Sequence, residues 1–239
     1  MLSKYLINHD KKYIVKLQLG EKTDTADQEG NVIEEKVVDL DLLTKENITD
    51  ILKSFIGKQE QIPPIYSAIK VKGKKLYEYA RKGEKVEIKP RQIEIYDIKL
   101  MDFSTETKQI NFEVFCGKGT YIRSLCEDIA TKFGTVGYMK ELKRTQVGNF
   151  TIEQSIKIDV IEQNINDINF INNKMISIEK FFDKNKSFNL NDKKLKLFLN
   201  GVQLTQEYQD GIYKIYNQNK QFIGIGTIKN KLLKRDIII

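Results

Sequence analysis

The sequence is poor in the residues that hold metals and disulfides. Its 239 residues include two cysteines, one histidine and no tryptophan. His9, Cys116 and Cys126 are too few for a zinc site, and both cysteines fall at apolar positions of predicted elements. We therefore expect reduced, buried cysteines in a cytoplasmic protein without a bound metal.

Long apolar segments are also missing. No apolar run approaches the length of a membrane span, and the first residues do not resemble a signal peptide. A calcium loop is not indicated either, because Asp24 and Asp27 lack the D-x-[DN]-x-[DN]-G spacing and instead suggest an acidic turn. The length is sufficient for one substantial core with a small appendage.

Positive charge is concentrated in two regions of a chain whose net charge is +7. Residues 70–91 contain nine Lys or Arg and three Glu, and residues 183–239 contain eleven basic and five acidic residues, so each region carries +6. Two separated basic regions are typical of a protein that binds an extended nucleic acid. A general enrichment in lysine is the alternative explanation.

A Gly-Lys-Gly turn between a predicted strand and a predicted helix is the most informative stretch. Alternating apolar residues predict a strand over 110–116, and Thr120 is the predicted N-cap of the following helix. The glycines around Lys118 indicate an anion-binding turn. Arg123 then lies in the first helical turn, where the helix dipole disfavours a cation. We expect an anionic partner for it, a carboxylate or a phosphate, whereas the alternative is an ordinary ion pair or a solvated side chain.

The rest of the pattern predicts a mixed α+β protein. Strands are predicted at 13–19 and near 31–38, a helix end at Met1–Leu6, and a helix that begins after Thr44. From about residue 186, short apolar segments separated by turns predict a small all-β appendage.

The basic segment also carries aromatic residues. Pro63 and Pro64 force an extended chain, and Tyr66, Tyr77 and Tyr79 follow among the lysines. Tyrosines among basic residues suit stacking on RNA bases with phosphate contacts around them. The alternative is a peripheral hairpin whose tyrosines pack locally.

Several motifs match one protein family in the family's order. They are Asp10-Lys11-Lys12-Tyr13, Leu19-Gly20 with Thr23-Asp24-Thr25, Ile62-Pro63-Pro64 with Tyr66-Ser67-Ala68, the run Lys74 to Arg81, and the run Lys118 to Arg123. Over nearly its whole length the chain resembles the bacterial tRNA pseudouridine(55) synthases, which isomerise a uridine of the T loop. The resemblance implies an α+β catalytic domain over 1–182 with a mixed, largely antiparallel sheet and flanking helices. It also implies an RNA-binding insertion at 62–90 and a PUA-like RNA-binding domain at 186–239.

The resemblance also implies roles for individual residues. Tyr13 matches the tyrosine that stacks on the flipped target base, and Tyr121 and Leu142 match residues that line the base pocket. Arg123 matches the arginine that pairs with the catalytic aspartate, so Tyr13 and Arg123 are the expected catalytic residues. The other residues expected to bind substrate are Tyr66, Lys74, Lys75, Arg81 and Lys118. The implied partner is the T stem-loop of tRNA, bound by a monomer that uses no metal or organic cofactor.

The chain departs from the family at the residue that performs the chemistry. The family's nucleophilic aspartate belongs to a Gly-x-x-Asp-Pro-type motif upstream of the tyrosine that Tyr13 matches, and this sequence contains no Asp-Pro pair. We therefore expect a synthase without the N-terminal segment that carries this motif, inactive alone because a carboxylate must attack the substrate. Arg123 would then be a partly buried cation without its partner. The alternative is a non-catalytic, RNA-binding remnant of such an enzyme.

Overall fold

A computed structural model describes residues 2, 4, 5 and 9–239 of the chain. Half of the helix end predicted at Met1–Leu6 therefore lies outside the described residues. By its internal contacts the chain divides into two compact units, residues 2–155 and residues 156–239. The domain limits predicted from the sequence, 1–182 and 186–239, stay a prediction.

A six-stranded sheet forms the centre of the first unit. The strands of this unit are β1 (Lys11–Leu19), β2 (Glu21–Thr23), β3 (Val32–Glu35), β4 (Gly57–Gln61), β5 (Lys70–Val71), β6 (Lys74–Lys75), β7 (Arg91–Ser104), β8 (Gln109–Cys116), β9 (Gly137–Val147) and β10 (Phe150–Thr151). The sheet order is β10-β9-β1-β8-β7-β4, and all of its strand pairs are antiparallel. Two further pairs, β2 with β3 and β5 with β6, form separate hairpins.

The unit includes the α-helices α1 (Lys45–Lys53), α2 (Leu76–Arg81) and α3 (Ile122–Lys132). Thr44 caps α1 as predicted, because its hydroxyl accepts the Asn47 N–H at 3.2 Å. The apolar faces of α1 and α3 join the buried residues of β1, β7 and β8 in one core. Both cysteines are free and buried, as predicted. The α+β class with a largely antiparallel sheet is confirmed.

Residues 62–90 leave the sheet and return to it at one point. β4 ends at Gln61 and β7 begins at Arg91, and these two residues are register partners. The hairpin of β5 and β6 and the helix α2 lie between them, with Leu76 fully buried. The segment is therefore a local excursion from the edge strand β4, which is the geometry expected of an insertion.

Gly137, the first residue of β9, is closely packed between α3 and β1. A Cβ at this position would lie 2.7 Å from the Gln18 carbonyl oxygen and 2.8 Å from the Ala130 Cβ. We expect Gly137→Ala to lower the free energy of unfolding by about 1–3 kcal/mol, because overpacking displaces the helix or the strand. Urea denaturation measures this change. An unchanged free energy of unfolding in Gly137→Ala would contradict the close packing of α3 on β9.

The second unit is β-rich, as predicted. Its strands are β11 (Ser187–Asn189), β12 (Leu204–Thr205), β13 (Gly211–Tyr216), β14 (Phe222–Lys229) and β15 (Leu232–Ile238), and its helices are α4 (Ile158–Gln163), α5 (Ile168–Lys174), α6 (Ile178–Phe181) and α7 (Asp192–Leu199). The sheet order is β11-β13-β14-β15-β12, with the pair of β11 and β13 parallel. Phe198 of α7 packs with Ile215 and Leu233 of the sheet in a separate small core.

Candidate active site

The first turn of α3 is fixed by residues far away in the sequence. The helix begins one residue later than predicted: Tyr121, not Thr120, is the N-cap, and the Thr120 hydroxyl instead donates to the Gly117 carbonyl at 3.0 Å. The Tyr121 side chain makes no capping bond. Its N–H donates to Oε1 of Gln61 at 2.8 Å, and its carbonyl accepts from Nε2 of the same side chain at 3.0 Å. No local pattern could have revealed this cap.

Arg123 is held by three acceptors. Its Nη1 donates to the Thr25 carbonyl at 3.1 Å and to Oδ2 of Asp27 at 3.2 Å. Its Nη2 donates to the Tyr66 carbonyl at 2.8 Å. The Arg123 and Asp27 side chains are each 22% exposed, so this ion pair is partly shielded from water. The expectation of an unpartnered Arg123 is wrong, because a carboxylate in the 24–27 turn compensates for its position at the helix start.

Asp27 is itself rigidly placed. Its Oδ1 accepts from the Thr25 hydroxyl at 2.7 Å and from the Glu29 N–H at 3.2 Å, while Oδ2 faces Arg123. A carboxylate with both oxygens engaged is suited to orienting an arginine and is less suited to attacking a substrate. The sequence identified this residue only as part of an acidic turn, because its partner is 96 residues away.

Tyr13 lies on β1 between two neighbouring strands. Its register partners are Val114 on β8 and Arg144 on β9, and its ring packs against the main core. Burial is the main factor that raises the pKa of the Tyr13 phenol, and a hydrogen bond and the positive charge of Arg144 oppose the shift. The phenol is therefore neutral at physiological pH, and its ring is fixed by the strand. The contact with Arg144 was not predicted from the sequence.

Leu142 occupies the strand on the other side of β1. It is the register partner of Val15, and its side chain is 43% exposed. It lines an open groove together with Ile14 and Met101. Tyr13 pairs with Arg144 on the same strand, so Tyr13 and Leu142 lie on adjacent strands, two register positions apart.

The loop that holds Arg123 also contacts β9. The N–H of Met139 donates to the Ala26 carbonyl at 3.1 Å, and Asp27 forms an isolated parallel bridge with Met139. The strand that carries Leu142 thus also anchors the partner of Arg123. The sequence predicts that four residues converge on one cleft: Tyr13, Tyr121, Arg123 and Leu142. This stays a prediction, and the contact between the 24–27 turn and β9 supports it.

The remaining predicted substrate residues lie in the turn before α3 and in the 62–90 segment. Lys118 is exposed in the turn before α3, and Tyr66 contributes its main-chain carbonyl to Arg123. In the 62–90 segment, Lys75 Nζ and Arg81 Cζ lie 5.2 Å and 5.3 Å from the centre of the Tyr77 ring.

Two further side chains of the segment pack locally. Lys74 Nζ lies 5.7 Å from the centre of the Tyr79 ring. Tyr79 is buried, and its hydroxyl donates to the Val71 carbonyl at 3.0 Å. Tyr79 is therefore structural. Tyr77 is only half-buried, and its ring contacts the side chains of Lys75 and Arg81 at the surface.

Two general findings concern only the part of the chain that the structure describes. Within it, no group of three or more His, Cys, Asp or Glu side chains is arranged to hold a metal ion. In the same residues, no helix combines the length and the apolar character needed to span a bilayer.

Family models match almost the entire chain. Residues 1–122 match the TruB family pseudouridylate synthase N-terminal domain. The chain belongs to the TruB family of pseudouridine synthases. Residues 123–183 match the tRNA pseudouridylate synthase B C-terminal domain, and residues 187–234 match the C-terminal model of TruB pseudouridine synthase II. The Arg123 site therefore lies at the junction of the first two matched regions.

Curated TruB-family relatives are similar along nearly the whole chain. The tRNA pseudouridine synthase B of Caldanaerobacter subterraneus subsp. tengcongensis is 38% identical over 232 residues, which are 96% of this chain and 78% of that protein. The enzyme of the same name from Clostridium tetani is 40% identical over 229 residues, covering 93% of this chain and 75% of the relative. That from Francisella philomiragia is 38% identical over 239 residues, covering 98% and 76%.

A solved structure supports the fold. The chain matches a structure of a Cbf5-Nop10-Gar1 complex with a TM-score of 0.67 at 17% identity, covering 99% of this chain and 68% of the matched chain. At this identity the likeness concerns the arrangement of the strands and helices alone.

The pair of Asp27 and Arg123 can be tested by a double-mutant cycle. We expect Asp27→Asn and Arg123→Gln each to destabilise the protein, with a coupling energy of about 1–2 kcal/mol measured by urea denaturation. The exposed pair of Lys99 and Asp97, 3.0 Å apart, is the matched control and should couple by roughly 0.5 kcal/mol or less. Equal coupling in the two cycles would contradict the special position of Arg123.

Proposed function

We propose that this protein is a tRNA pseudouridine synthase that isomerises the T-loop uridine to pseudouridine. The observation that carries the proposal is the Arg123 site, in which an arginine at a helix start is fixed by Asp27 and two carbonyl groups. Family membership and the named relatives support the reaction. The proposal assigns the protein to the cytoplasm, where it meets tRNA, and treats it as a monomer.

The geometry suggests how the chain binds its substrate. A base must leave the folded T loop before its glycosidic bond can be broken and re-formed through C5. In this proposal Tyr13 stacks on the extruded uracil, and Tyr121 and Leu142 form the walls of its pocket. The basic 62–90 segment contacts the phosphates of the T stem-loop.

Arg123 acts in this proposal through charge. Its guanidinium holds the attacking carboxylate of the family motif in line with the substrate and stabilises its ionised form. Asp27 helps to keep that guanidinium in place. One of its carboxylate oxygens contacts a single guanidinium nitrogen, Nη1. We name Asp27 and the two carbonyls as positioning groups and Arg123 as the group that meets the reacting carboxylate.

Three carboxylates of the first unit already have hydrogen-bond partners. Asp10 accepts from the Tyr96 hydroxyl at 3.2 Å, and Asp24 accepts from the Asn31 N–H at 3.0 Å. Asp27 is engaged on both oxygens. None of the three belongs to a Gly-x-x-Asp-Pro motif. We therefore propose that these 239 residues bind RNA but do not convert uridine unless an aspartate of that motif is supplied.

RNA binding tests the proposal without requiring turnover. Fluorescence anisotropy with a labelled T stem-loop should give an affinity at least tenfold higher than that for an anticodon stem-loop of equal length and charge. The matched length keeps the non-specific electrostatic contribution equal for both RNAs. Equal affinities would contradict the proposed substrate.

A further inference from the structure

Gln61 is a buried polar residue to which the sequence assigns no function. It is the last residue of β4 and is only 4% exposed. Its amide group makes two hydrogen bonds to the main chain of a single residue, Tyr121, and so engages both the N–H and the carbonyl at 2.8 Å and 3.0 Å. A two-point bond of this kind fixes the orientation of a peptide segment as well as its position.

The bonds of Gln61 belong to a larger contact that we call the α3 junction, formed by residues 61–66 and 121–124. Next to the amide pair, the Ser124 hydroxyl donates to the Ile62 carbonyl at 2.8 Å. In the same helical turn, Arg123 donates to the Tyr66 carbonyl at 2.8 Å. The junction thus joins the start of the 62–90 segment to the first turn of α3 at three successive places.

The position of Gln61 in the fold gives the junction its significance. Because Gln61 is the register partner of Arg91, it stands at the root of the 62–90 segment, where the chain leaves and rejoins the sheet. Tyr121 stands at the root of α3, two residues before Arg123. One side chain therefore connects the basic segment to the helix start that carries the proposed base pocket.

We propose that Gln61 is a positioning residue that couples RNA contact by the 62–90 segment to the placement of Tyr121 in the base pocket. Gln61 does not touch the reacting atoms; it acts through the Tyr121 main chain. This inference rests on the proposed function and adds to it a residue that sets the pocket geometry. A purely structural role predicts loss of stability alone, whereas the positioning role predicts a local loosening at Tyr121 with weaker binding of the T stem-loop.

The test uses Gln61→Met, which keeps the side-chain volume and removes both hydrogen bonds. Gln59→Met is the matched control, because Gln59 lies two residues earlier on the same strand and its Nε2 donates to a different carbonyl, that of Phe55, at 2.8 Å. Three quantities are measured on the full chain: thermal unfolding, amide hydrogen exchange of Tyr121, and T stem-loop affinity by anisotropy.

We expect Gln61→Met to speed exchange of the Tyr121 amide at least tenfold, while amides inside α3, such as that of Ile129, keep their wild-type rates. T stem-loop affinity should fall about tenfold in Gln61→Met and stay within twofold of wild type in Gln59→Met. Unchanged exchange at Tyr121 would overturn the inference, as would an equal loss of affinity in both variants at equal melting temperatures.

The outcomes separate this inference from the proposed function. If the wild-type chain binds T and anticodon stem-loops equally well, the proposed substrate is wrong. The exchange measurement then decides on Gln61 alone: faster exchange confined to Tyr121 supports the positioning of its main chain, and unchanged exchange overturns it.

Discussion

Exchanging Lys74, Lys75, Arg81 and Lys82 for glutamate will reduce the affinity for T stem-loop RNA by about 100-fold or more at physiological salt. The change reverses four charges within residues 70–91, whose net charge is +6, so it replaces phosphate attraction with repulsion. Arg81 and Lys75 flank the half-buried Tyr77 ring and thus present their charges from a fixed surface. The slope of log affinity against log salt should fall by roughly 0.7–0.9 for each phosphate contact that is lost.

The control reverses the same number of charges elsewhere in the first unit. The four lysines changed to glutamate in this control are all exposed: Lys45, Lys53, Lys99 and Lys132. This variant has the same net charge as the first, so it should lose only the long-range part of the attraction and keep most of the salt slope. Equal losses in the two variants would show that the 62–90 segment does not face the RNA.

The second large effect concerns turnover. We expect the 239-residue chain to form no pseudouridine in a T-arm transcript, because Asp27 at the Arg123 site is already engaged on both oxygens and the Asp-Pro motif is absent. Fusion to a TruB-family segment that carries the Gly-x-x-Asp-Pro motif should restore turnover, and changing that aspartate to asparagine should abolish it while RNA binding remains. Mass spectrometry of the digested transcript measures the product nucleoside after chemical labelling.

Arg123 provides the internal control for this restored activity. In the fused protein, Arg123→Gln should lower the turnover rate by several orders of magnitude, because the attacking carboxylate loses its counter-charge. Pseudouridine formation by the unfused chain would contradict the account and would direct attention to Asp10 or Asp24 as the attacking group.

The elements that the sequence predicted well are those with local signals. Alternation of apolar residues gave the strand that ends at Cys116, and Thr44 marked the start of α1 because its capping bond reaches only three residues along the chain. The change to short strands near residue 187 was likewise visible as a change in spacing. Each of these features depends on neighbours within one element.

The site could be predicted only through its unusual residue. Arg123 was conspicuous because a cation at a helix start requires a partner, but Asp27 and Gln61 are ordinary in their local context. Their roles arise from contacts across 96 and 60 residues, respectively, and such contacts leave no periodic signal in one sequence. The prediction of Thr120 as the N-cap is wrong for the same reason. Local propensity favours threonine at this position and carries no information about the bonds that Gln61 of β4 makes to Tyr121.

Photo-crosslinking tests the base pocket most directly. A T stem-loop that carries 4-thiouridine at the target position is irradiated in complex with the wild-type chain, and the attached peptides are identified by mass spectrometry. The account predicts cross-links to peptides containing Tyr13 or Tyr121, lost when the photoreactive base is moved into the stem. Cross-links confined to residues 156–239 would contradict it.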